Sequence, residues 1–197
     1  MTPFAAALLV AGALAAPDDW RRESFTFPLI FAPTIPYEGT EEVRFPPYWS
    51  EFASPRGFSY VFLWDIKRRR IEPAELERGL NVYFDGLMEQ VTRARKIEDT
   101  GHVTSAALHP LAAPEGWQQG FAGRLFTWNA FVKGEPLTLH FEISHRRCPA
   151  ERTQVFFAFS QADRDQAVWK ELRAVRFATA CAEVTPPPGA TPSRAPP

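Results

Sequence analysis

The 197-residue chain is poor in the residues that most chemistry needs, with two cysteines, four histidines and eleven glycines. Each shortage removes a class of function. His102, His109, His140 and His145 include no pair at the i, i+2 spacing of a strand face or the i, i+4 spacing of a helix face, so no metal site is expected. No glycine-rich loop follows a strand and opens a helix, so a backbone cradle for nucleotide phosphates is not expected, nor any cofactor. Gly57-Phe58-Ser59-Tyr60-Val61 carries only the first half of a serine-hydrolase elbow and falls within a strand pattern. With 22 basic and 23 acidic residues the net charge is −1, which gives no global field to hold polyanions and excludes nucleic acid as an expected partner. Beyond residue 16 no apolar run approaches the roughly 18 residues of a membrane span.

Charge is also missing from Met1 to Ala16, which runs apolar through Phe4, Leu8, Leu9 and Val10 and ends in Ala13-Leu14-Ala15-Ala16. That pattern is an export signal with small residues at the cleavage site, and it predicts a periplasmic or secreted protein. Residues 17–184 are expected to form a single domain. Residues 185–197, rich in proline and without periodicity, are expected to be a disordered tail. In an export context the pair Cys148 and Cys181 favours a disulfide over two buried thiols.

What the chain does have is aromatic surface: 17 Phe, six Trp and four Tyr predict an aromatic-rich core. Phe25 to Pro33 alternates loosely around Pro28 and reads as an edge strand. Val43 to Phe45 is a short strand candidate. Gly57 to Ile66 carries apolar residues at both parities and reads as a central strand buried on both faces. Pro73 opens a long helix with Leu76, Leu80, Tyr83, Phe84, Leu87 and Val91 along one stripe, in which Gly79 and Gly86 would permit close packing. Val103 to Leu108, Phe121 to Val132, Leu137 to Ser144 and Thr153 to Phe159 read as strands, the middle two forming a hairpin around Lys133-Gly134-Glu135. A last helix, capped by Ser160 or Asp163, would carry Ala167, Val168, Leu172 and Val175. The order predicts an α+β fold, a mostly antiparallel sheet covered by two helices, one long and central and one C-terminal. A central strand apolar on both sides argues for helices on opposite faces.

The run Pro36-Tyr37-Glu38-Gly39-Thr40-Glu41-Glu42-Val43-Arg44-Phe45, followed by Ser59-Tyr60-Val61-Phe62-Leu63-Trp64, resembles a family of uncharacterised exported bacterial proteins. That resemblance implies a location and no chemistry. The closing strand and its helix with Trp169 and Leu172 are similar in order to the Mog1/PsbP-like α/β sandwich.

Four constellations are candidates for function. Thr138, His140, Glu142 and Ser144 share one strand face, where Glu142 could orient His140 as a base. Glu38, Glu41 and Glu42 form an acidic cluster beside Gly39, a candidate ligand site on a loop. Lys67 with Arg68, Arg69 and Arg70 makes a basic patch that could take anionic headgroups or an acidic partner. Trp49 and Trp117, in loops, could stack on sugars. The reading these support is an exported, non-catalytic binding or accessory domain of the bacterial envelope, with an unidentified protein or small-molecule partner there. The alternatives are an envelope hydrolase using His140 and Glu142, and a structural component tethered through its proline-rich tail.

Overall fold

Alternation of side chains sets the architecture. The computed structural model describes residues 14–54, 56–68, 70–97, 103–132 and 134–181. Within them β1 (Arg21–Thr26), β2 (Gly39–Phe45), β3 (Tyr60–Lys67), β4 (Ser105–Leu111), β5 (Gln119–Asn129), β6 (Glu135–Cys148) and β7 (Arg152–Ser160) form one sheet in the order β1-β2-β3-β7-β6-β5-β4. Every neighbouring pair is antiparallel. Helices α1 (Pro73–Arg95) and α2 (Val168–Ala178) complete the α+β fold.

Period-two alternation in the interior strands sends apolar residues to both sides, so each side needs a cover. Tyr60, Phe62, Trp64 and Ile66 of β3 join Val155, Phe157 and Phe159 of β7 and the α1 stripe of Leu76, Leu80, Tyr83, Phe84 and Met88 in the larger core. Val61 and Leu63, with Phe156 and Ala158, pack instead with Trp169, Leu172 and Val175 of α2. The helices therefore occupy opposite faces. Gly86 lets α1 close on the β1–β2 connection, because a Cβ there would sit 1.8 Å from the Phe31 carbonyl oxygen.

Helix α1 also closes one edge of the sheet. Backbone N–H groups of Thr104, Ala106 and Leu108 donate to Asp85 (2.7 Å), Asn81 (2.8 Å) and Glu77 (3.3 Å). Steps of four on a helix (about 6 Å) and two on a strand (about 6.8 Å) nearly match, so one polar stripe satisfies successive outward amides of the edge segment.

Several boundaries differ from the sequence pattern. The first strand is Arg21–Thr26 and not Phe25 to Pro33, because Pro28, in a cis peptide with Phe27, has no N–H for a ladder. It is still an edge strand. The second begins at Gly39, so Glu41 and Glu42 lie in a strand and point to opposite faces. Neither Ser160 nor Asp163 caps α2, whose cap residue is Ala167 without a side-chain bond. The Ser160 hydroxyl is engaged by Ser59 and the Ala162 amide.

Cys148, ending β6, and Cys181, just past α2, form a disulfide with Cα atoms 5.7 Å apart, tying the helix to the sheet. No helix among the described residues is long and apolar enough to cross a membrane. Most of the expected signal (1–13), all of the expected tail (185–197), Arg69 and Lys133 of the expected turn lie outside the described residues. Leu14 does not: it is buried against the α2-side core with Trp20 and Val175.

Candidate functional site

The aromatic surplus of the sequence is not all spent on a closed core. Beside the C-terminal half of α1 lies a cavity of about 370 Å³, and nine of its fifteen lining residues are aromatic. Strands β1, β2 and β3 supply Phe25, Phe45 and Tyr60, α1 supplies Tyr83 and Leu87, and three loops bring Phe31, Trp49, Phe52, Phe58 and Phe131. The loop rings hold one another at the spacing of edge and tilted pairs, with Phe45–Trp49 at 4.7 Å, Trp49–Phe131 at 6.0 Å and Phe52–Phe131 at 5.8 Å. Such mutual contact fixes the wall before anything enters.

Two polar features interrupt this lining. The Tyr60 hydroxyl is buried and has no hydrogen-bond partner among the described residues, while Arg21, Glu23 and Arg95 stand at the margin. Arg95 is held in place by donating to the Phe131 carbonyl at 2.6 Å with its guanidinium 5.5 Å from that ring. Behind Tyr83 lies Glu41, fully buried, which accepts from Trp64 Nε1 at 2.6 Å and from the Tyr83 hydroxyl at 3.1 Å. Burial raises the Glu41 pKa to about 7 against the pull of those two donors. Burial, then the neighbouring Glu41, pushes both Tyr60 and Tyr83 well above the ordinary phenol value, so both hydroxyls stay protonated.

The acidic cluster expected around Gly39 is dispersed. Glu41 goes to the α1 side; Glu42 turns to the other face and pairs with Arg44 at 2.6 Å; Glu38 is exposed, 3.3 Å from Lys67. No common ligand site forms from the three. Strand alternation does place His140 and Glu142 on one face, but no hydrogen bond joins them among the described residues. Arg173 and Arg176 of α2 clamp the Glu142 carboxylate at 2.6 and 3.2 Å, and His140 Nε2 lies 3.1 Å from Asp163. The expected orienting role for Glu142 is replaced by anchoring of α2 to the sheet. Burial lowers the His140 pKa, Asp163 opposing and Arg124 and Arg164 reinforcing that shift.

Arg68 is drawn to Glu75 at 2.7 Å and over the Tyr37 ring, whereas Arg70 pairs with Glu72 at 2.8 Å, so the basic run does not act as one patch. Trp117 is buried on the α2-side core, beneath Arg146. Trp49 instead lines the aromatic cavity. The chain matches no protein-family model and no curated protein. Function must therefore be argued from the site itself. The sequence pattern assigns the phenylalanines to the core, and its one hint to the cavity is aromatic residues outside core periodicity, at Trp49 and Phe52; Phe131, inside the expected strand from Phe121 to Val132, gives none.

Proposed function

We propose that this chain is an exported, non-catalytic binding domain of the bacterial envelope whose ligand is an apolar small molecule carrying one polar group. The single observation behind this reading is the cavity beside α1: its volume falls at the low end of the about 300–1,000 Å³ typical of ligand sites, and its wall is aromatic. A polar atom on the ligand would satisfy the orphaned Tyr60 hydroxyl, which otherwise carries the cost of an unmade buried hydrogen bond. At the margin Arg21 is paired with Glu23, which leaves Arg95 to favour a neutral or anionic group over a cationic one. The export assignment rests on the apolar, uncharged Met1 to Ala16 segment, and the disulfide fits an oxidising compartment.

Titration with the fluorescent probe anilinonaphthalene sulfonate, apolar with one anionic group, tests the reading. Saturable binding that is lost in Ser50→Trp, which plugs the margin from an exposed position, is the expected result. Equal affinity in wild type and in Ser50→Trp, at unchanged melting temperature, would refute it.

A further inference from the structure

A second site lies at the other end of α1, on the same face of the sheet. Its lining is Arg70, Gln118, Gln119, His145 and Arg147, around a cavity of about 370 Å³. Every one of these side chains can donate a hydrogen bond, and no carboxylate is among them. The fold builds the cluster from separate elements. Gln119 and His145 are directly paired across β5 and β6, and Arg147 follows two residues on, so alternation puts all three on the α1 side. Arg70 is carried over them because the Thr153 hydroxyl of β7 bonds the Arg68 carbonyl and pins the approach to α1.

His145 is the unusual member. It is 4 % exposed, yet neither ring nitrogen has a hydrogen-bond partner among the described residues. Two guanidiniums beside a buried imidazole form a local excess of positive charge, with Glu72 the nearby acid; its ion pair engages Nε of Arg70. Burial, then Arg147 and Arg70, lower the His145 pKa, so at neutral pH the ring offers one donor and one acceptor. Gln118 accepts the Arg147 amide at 3.1 Å through Oε1, so that its amide nitrogen is the end able to donate to a ligand.

We propose that this cluster is a binding site for a phosphoryl-type oxyanion, held by the Arg70 and Arg147 guanidiniums, His145 and the glutamine amides. A multiply charged tetrahedral group has enough acceptors for donors that converge from several sides, and it offsets the charge that the cluster concentrates. The site is independent of the aromatic cavity, and either can fail without the other.

Isothermal titration of the full chain with inorganic phosphate tests the proposal, alongside vesicles of phosphatidylglycerol or of phosphatidylcholine, with the His145 ring protons followed by NMR. Saturation by inorganic phosphate, with displacement of the His145 resonances and at least about tenfold weakening in Arg147→Ala, supports a soluble phosphorylated ligand. Saturation by phosphatidylglycerol vesicles alone, equally sensitive to Arg147→Ala, supports the same chemistry on a lipid headgroup. Arg147 is exposed, so its removal leaves the fold in place, and His145→Gln serves as a second variant. Absence of saturation with every probe, or affinity that Arg147→Ala and His145→Gln leave unchanged, overturns the proposal.

Discussion

Replacing Glu41 by glutamine isolates the cost of a buried carboxylate. In the folded chain Glu41 holds its proton up to a pKa of about 7, while the unfolded chain releases it near the ordinary glutamate value of 4.5. Between those values the folded state binds one more proton than the unfolded state, so stability falls as pH rises and levels off once both forms are ionised. A difference of about 2.5 pH units at 1.36 kcal/mol per unit amounts to roughly 3 kcal/mol. Glutamine keeps an acceptor for Trp64 Nε1 and a group to meet the Tyr83 hydroxyl but never ionises. His140 and His145, whose folded pKa values are lowered, act in the opposite sense, weakening the fold as pH falls; they are present in both proteins and cancel in the comparison. Urea denaturation at pH 4, 6 and 8 should show Glu41→Gln gaining on wild type by about 3 kcal/mol between the first and last pH, whatever offset separates them at pH 4. A wild-type minus variant difference that stays flat across that range would show that Glu41 is solvated or ionised in the folded protein, and the placement of its carboxylate behind the aromatic wall would be wrong.

Two glycines of α1 should respond in opposite directions to alanine. Gly86→Ala drives a methyl into the Phe31 carbonyl and should cost about 2 kcal/mol or more by thermal denaturation, whereas at Gly79 the nearest atom is a Trp64 ring carbon at 3.6 Å, so Gly79→Ala should gain up to about 1 kcal/mol of helix propensity. Equal effects at the two positions would contradict the seating of the helix. Trp64→Ala should cost about 3 to 5 kcal/mol, because it opens a cavity at a fully buried position and removes one of the two donors to Glu41, while His140→Ala, which loses the exposed Asp163 as partner, should cost less than about 1 kcal/mol. Chemical denaturation of both variants checks this, and comparable losses would mean that His140 belongs to a buried network.

Local pattern was enough for α1, since the apolar stripe from Leu76 to Phe84 and Pro73 at its first turn act within a few residues of themselves. It was enough also for the interior strand β3, where apolar residues at both parities can be covered only by a layer on each side. Pairing of Cys148 with Cys181 was legible from there being only two cysteines, behind an apolar, uncharged N-terminal segment. Strand ends were less legible. Only Val43 to Phe45 has a strand pattern, since Gly39 to Glu42 is polar, yet the ladder with β1 and β3 carries the strand back to Gly39.

The sites were beyond local pattern for a different reason. Glu142 next but one to His140 suggests a pair, and α2, arriving from thirty-one residues away, claims the carboxylate with Arg173 first. The aromatic cavity draws its wall from segments between residues 21 and 131, and the basic cavity unites Arg70, Gln119 and Arg147. Sequence alone determined which residues are apolar, the periods of α1 and of β3 and which two thiols are present, because those are set by the residues themselves and their neighbours in the chain. Which polar groups are satisfied, which are left without partners and where the rings fail to close depend on groups that meet only when the sheet is assembled, and so the tertiary structure alone decided them.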